Sequence, residues 1–181
     1  TKQPTSEGFR QFLMLKSGAT VLKPIRVTMD AMDNHPHHPV DDLARILSYQ
    51  DAIDESASIH EVASEMYAMS CWNPEFCAAL IRAADLVGGY TSHQSDPVPG
   101  QEISLAAISP SLFEAVQNDM GARIWPQLQK HWPLIDYHGI NDAFIIRYEI
   151  GGQEELRIHH DVAQVSSSVK LNSDYLCAEL Q

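Results

Sequence analysis

Residues 156 to 161 read Leu-Arg-Ile-His-His-Asp, two imidazoles and a carboxyl group set between apolar, alternating segments. Side chains i and i+2 of an extended chain project to one side, roughly 7 Å apart along the backbone. His159 and Asp161 can therefore converge on one ion through bonds of about 2.0–2.2 Å, while His160 faces the other way. Neutral imidazole and carboxylate suit a borderline divalent metal. The tripeptide is short and arises often by chance. Its plain structural reading is a histidine and an aspartate at a strand end, hydrogen-bonded to a turn.

Other chemistry-bearing residues carry less. His35, His37 and His38 lie in the turn-rich MDNHPHHPVDD, where interleaved prolines favour a solvated loop over a metal scaffold. His93, His131 and His138 fall in loops or helix ends ahead of the motif. Cys71, Cys77 and Cys177 have neither the spacing of a zinc finger nor that of a disulfide framework, and read as free thiols in a reducing compartment.

The elements that must position the motif change character along the chain. TVLKPIRVTM alternates like a strand, with Pro24 pushing it to an edge. DDLARILSY and SIHEVASEMYAM predict two helices, the second with Ser58 and Glu61 spaced as a capping box. Asn73-Pro74 opens a further helix whose apolar face is Phe76, Leu80, Ala84 and Val87, ended by Gly88-Gly89. EISLAAI alternates like a short strand. SPSLFEAVQNDMGARIWPQL then repeats Leu112, Val116, Met120 and Ile124 every four residues, a helix limited or kinked by Pro126. Beyond residue 143 the period turns strand-like: AFIIRYEI, a GGQEE turn, LRIHHD, VSSSVKLN, and AELQ at the start of another strand. Helices first and strands afterwards predict an α+β fold, with helices supporting one face of a largely antiparallel sheet.

Composition sets outer bounds. The 181 residues suffice for one domain with a core, and 44% hydrophobic with 20% charged residues is ordinary for a globular chain. A net charge of -12 argues against a nucleic-acid or anionic-membrane surface, both of which need clustered Lys and Arg. No apolar run approaches the ~20 residues of a membrane span. No basic-then-apolar signal peptide opens the chain. Together with the free thiols this gives the expectation of a cytoplasmic protein.

The run FIIRYEIGGQEELRIHHDVAQVSSSVKLN, residues 144 to 172, resembles the catalytic core of the iron(II)- and 2-oxoglutarate-dependent dioxygenases. Within that superfamily it is most similar to the lysyl and prolyl hydroxylases, the procollagen-lysine dioxygenase group. The shared features are an apolar strand ending in Arg147-Tyr148, a turn with Gln153, then Leu156, the His-His-Asp triplet, a Ser-rich strand and Leu171-Asn172. Upstream, EFCAALIRAADLVGGY and DPVPGQEISL resemble the family's leading helix and the strand after it. YLCAEL, near the end, has Cys177 where a glycine is common.

The resemblance implies a double-stranded β-helix (jelly-roll, cupin-like) core with supporting helices over residues 71–181, with residues 1–70 an N-terminal segment of unknown role. It implies iron(II) held by His159 and Asp161, 2-oxoglutarate as co-substrate with Tyr148 as a contact, and dioxygen. The implied activity is hydroxylation of an unactivated C–H bond, on an amino-acid side chain in a peptide or a small molecule. Lys170 can meet an acidic co-substrate or simply face solvent, Ser166 and Ser168 have no assigned role, and Arg147 reads as structural. The family pattern also needs a second histidine downstream, followed by a basic residue. Neither occurs before Gln181, so the core is expected to be cut short at its C-terminal end. Two alternatives stay open: a non-catalytic β-helix module that binds a partner without a full metal triad, and a zinc-dependent hydrolase using His159, Asp161 and an upstream histidine.

Overall fold

The computed structural model describes residues 10–17, 49, 53, 58–92, 98–161 and 163–172. The predicted strand TVLKPIRVTM, the His35–His38 loop, the helix DDLARILSY apart from Tyr49, and His93, Cys177 and AELQ lie outside them.

In chain order the elements are β1 (Arg10–Ser17), β2 (His60–Ala63), β3 (Met66–Ala68), α1 (Pro74–Val87), β4 (Glu102–Ser104), α2 (Leu105–Ile108) and α3 (Pro110–Asp119). A π-helical stretch (Met120–Ile124), α4 (Trp125–Leu128), β5 (Ile140–Tyr148) and β6 (Val165–Lys170) follow. Four strands form one sheet in the order β4-β5-β1-β6, antiparallel throughout, and β2 and β3 form a separate hairpin. β1, from the segment without a predicted role, runs between β5 and β6.

The two faces of the sheet differ. Ile103, Ala143, Ile145 and Val169 point into the main core, against Phe76, Leu80 and Ala84 of α1, Leu105 and Ile108 of α2, and Val116 of α3. Leu105 and Ile145 are 0% exposed. Phe144 and Ile146 point to the opposite face, where they meet Tyr148 and Leu156. So β5 is buried on both sides, which explains its nearly unbroken apolar run AFII.

α1 begins where the sequence predicts. The Asn73 side chain accepts a hydrogen bond from the Phe76 amide at 2.8 Å, Pro74 follows the cap, and Gly88 ends the helix at φ 66°. The long helix predicted over 109–128 is interrupted by the π-helical stretch. A spacing of four residues drifts steadily against a 3.6-residue turn, and the wider π turn absorbs the drift and keeps Val116 and Ile124 both buried. EISLAAI is strand only through Ser104, and then turns into α2.

The predicted helix SIHEVASEMYAM is instead the β2–β3 hairpin. Glu65 adopts φ 61° in its two-residue turn. The Tyr67 ring lies 4.2 Å from that of His131 and 5.1 Å from that of Trp132, whose Nε1 donates to Glu65 Oε2 at 2.6 Å. These contacts reach across more than sixty residues, and they override a local helix preference that amounts to tenths of a kcal/mol per residue, on the order of its usual size.

Candidate metal centre

β5 delivers the chain to the site at Tyr148. The turn after it is closed by Gly152 N donating to Glu149 O at 3.1 Å and Glu149 N donating to Gln153 O at 2.8 Å, with Gly151 at φ 79°. Residues 153–161 then run on without joining a strand ladder, where the sequence predicts a strand through LRIHHD. The sheet order supplies the reason. β5 already has β4 on one side and β1 on the other, so the returning segment finds no free edge there and crosses the face instead. Leu156 packs on Phe144 and Ile146, while Ile158 is 94% exposed.

The structure brings His159 and Asp161 together. His159 Nε2 lies 3.4 Å from Asp161 Oδ1, and the two side chains are 27% and 22% exposed. His159 Nδ1 is 2.8 Å from the carbonyl oxygen of Arg157. A carbonyl only accepts, so Nδ1 carries the hydrogen and the lone pair of a neutral ring sits on Nε2. A lone pair and a carboxylate oxygen this close favour a cation or a proton between them. Bonds of ~2.1 Å at the angles of common coordination geometries set two donors about 3.0–3.5 Å apart, and the observed separation falls inside that range. Fixing the second ring nitrogen on a carbonyl is also the usual device for orienting a ligating histidine. His160 is exposed.

The pair fits two ligands of a ferrous centre. Among the described residues no group of three or more His, Cys, Asp or Glu side chains is placed to hold a metal ion. His131 is engaged with Tyr67, and His138 is exposed. Cys71 and Cys77 are free cysteines.

Tyr148 is half-buried on the sheet face that Leu156 covers. Lys170 of β6 shares that face, because Ile146, Phe12 and Lys170 stand opposite one another across β5, β1 and β6. Two inter-strand spacings and two residues separate Tyr148 from Lys170, roughly 12 Å between Cα atoms. Ser166 and Ser168 line the same face and are exposed. Arg147 faces the helices: its guanidinium is 3.6 Å from Glu149 Oε2, 4.0 Å from Asp85 Oδ1 and 5.5 Å from the centre of the Tyr90 ring.

Sequence reasoning passed over a polar network beneath α1. Trp72 Nε1 donates to the Tyr49 hydroxyl at 3.1 Å, which donates to Asp119 Oδ2 at 3.0 Å. Arg123 grips both oxygens of Asp119 at 2.7 Å. Burial pushes the Tyr49 phenol up, and it pushes the Cys71 thiol beside this network up to about 12. The four-residue spacing of Asp119 and Arg123 was the available signal.

Among the described residues no helix is long and apolar enough to cross a membrane. No family model, no curated protein and no solved structure matches the chain.

Proposed function

We propose that this chain is the core of an iron(II)- and 2-oxoglutarate-dependent oxygenase that hydroxylates an unactivated C–H bond of an amino-acid side chain, in a peptide or a small molecule. The observation that carries the reading is the facing of His159 Nε2 and Asp161 Oδ1 at 3.4 Å, with Nδ1 committed to the Arg157 carbonyl. An imidazole and a carboxylate are two members of the facial triad that leaves positions open for co-substrate and dioxygen. The second histidine must come from outside the described residues. The four antiparallel strands, with helices on one face and the site segment on the other, are compatible with part of a double-stranded β-helix.

Each residue has a defined task in this reading. Asp161 supplies the negative charge that offsets the cation, and His159 supplies a neutral nitrogen in a fixed tautomer. Tyr148 offers a phenolic hydroxyl to a carboxylate of 2-oxoglutarate, and its ring, with Leu156, Phe144 and Ile146, keeps water from that side. Lys170, on the same sheet face, favours an acidic co-substrate there. When bound, ferrous iron supplies the chemistry by which the 2-oxo acid loses carbon dioxide to give succinate while dioxygen is reduced and the substrate carbon is hydroxylated.

The test is succinate formation by the full chain with iron(II), 2-oxoglutarate and dioxygen. Asp161→Ala is expected to lower it by about two orders of magnitude or more, since a charged ligand is lost. Succinate produced by Asp161→Ala at the wild-type rate, or without dioxygen, would end the proposal. A wild-type chain that makes none would favour a binding module.

A further inference from the structure

We propose that Gln153 is the positioning residue of the His159–Asp161 pair, pinning to the sheet the start of the segment that carries both side chains. The inference rests on reading that pair as a metal centre.

Residues 153–161 join no ladder, so a few contacts must fix their course. The first is Gln153. Its backbone oxygen accepts from Glu149 N at 2.8 Å, and its side-chain Oε1 accepts from Gln101 N. The carbonyl of Gln101 in turn accepts from Arg147 N at 2.9 Å. One side chain thus ties the residue that leads into β4 to the turn that leaves β5. The second contact is Leu156 against Phe144 and Ile146. The third is His159 itself, on the Arg157 carbonyl and against Asp161. Immediately before His159 the chain is already open to solvent, with Ile158 94% exposed.

The local sequence is fitted to this clamp. A Cβ on Gly100 would lie 3.0 Å from Ile146 Cδ1 and 3.6 Å from Gln153 Nε2, so a side chain there would crowd the carboxamide. Gln153 Nε2 is buried and has no hydrogen-bond partner among the described residues. An amide held with its donor unsatisfied is held for its acceptor. The acceptor is therefore the part that matters, and it can be tested apart from side-chain size.

The full chain is titrated with Mn(II) by calorimetry, and amide hydrogen exchange of Gln101 and Glu149, the two amides that Gln153 accepts from, is followed in metal-free protein. Gln153→Met keeps the length and loses the acceptor. It should weaken Mn(II) binding about tenfold, the lower end of what outer partners of a metal ligand contribute, and speed exchange at both amides while the centre of β5 keeps its protection. Gln153→Glu keeps an acceptor oxygen and should restore both readings to within about threefold of wild type. Unchanged exchange in Gln153→Met would overturn the proposal, and so would faster exchange with unchanged Mn(II) affinity. A wild-type chain that binds no Mn(II) would remove the metal reading alone, because exchange judges the anchor without metal.

Discussion

His159 and His160 carry the same ring on adjacent residues, and only their surroundings separate them. His159 has one nitrogen on a backbone carbonyl and the other facing a carboxylate, its side chain 27% exposed. His160 stands in solvent. We expect His159→Ala to abolish Mn(II) binding in calorimetry and His160→Ala to bind within about twofold of wild type, as surface changes away from a site usually do. Equal losses in the two variants would mean that the wrong ring has been assigned. The pairing of residues 159 and 161 was legible because alternation along an extended chain is a geometric necessity. The tautomer was not, since it depends on a carbonyl whose position only the folded backbone fixes. Gln153 was visible as a turn residue, but its hold on Gln101 spans half a hundred positions and leaves no local trace.

Elements with their own start and stop chemistry were the readable ones. α1 is written in Asn73, Pro74 and Gly88, and Asn73→Ala should cost about 1 kcal/mol in urea unfolding by freeing the Phe76 amide. The hairpin and the π-helical stretch are set by partners from elsewhere, which is why periodicity missed them. At Gly121 a Cβ would come 2.9 Å from Tyr137 Cε1. That ring cannot easily retreat, because its hydroxyl donates to Gln117 O at 3.0 Å and its face stacks on Trp125 at 5.6 Å. Gly121→Ala should therefore lower stability by roughly 1–3 kcal/mol, as overpacking does. An unchanged unfolding midpoint would show that the wide turn has room to spare.

At the scale of the molecule, buried phenols and thiols set the response to alkali. Burial is the first cause of the raised values at Tyr49, Cys71, Cys77, Tyr90 and Tyr137, and it pushes both Cys71 and Tyr137 up to about 12. Unfolded thiols and phenols release protons near pH ~8.5 and ~10. Above those values the folded chain holds more protons than the unfolded one, so stability falls as pH rises. The contribution is intact below about pH 8.5 and drains away toward pH 12. The urea midpoint should drop steadily between about pH 9 and 11. A flat or rising profile would contradict the burial of these groups. Of the elements, the helix α1 and the strands β5 and β6 were legible. The place of Arg10–Ser17 was not, because pairing across the chain is not encoded in any single window.

That placement has a consequence for biosynthesis. With Leu13 opposite both Ile145 and Val169, β1 cannot take its place in the sheet until β5 has left the ribosome, and the sheet is not complete until β6 has followed. Closing so large a loop costs on the order of 4 kcal/mol in chain entropy before any ladder repays it. The nascent protein would therefore complete its helical layer first and hold an early strand in waiting until β5 and β6 have emerged.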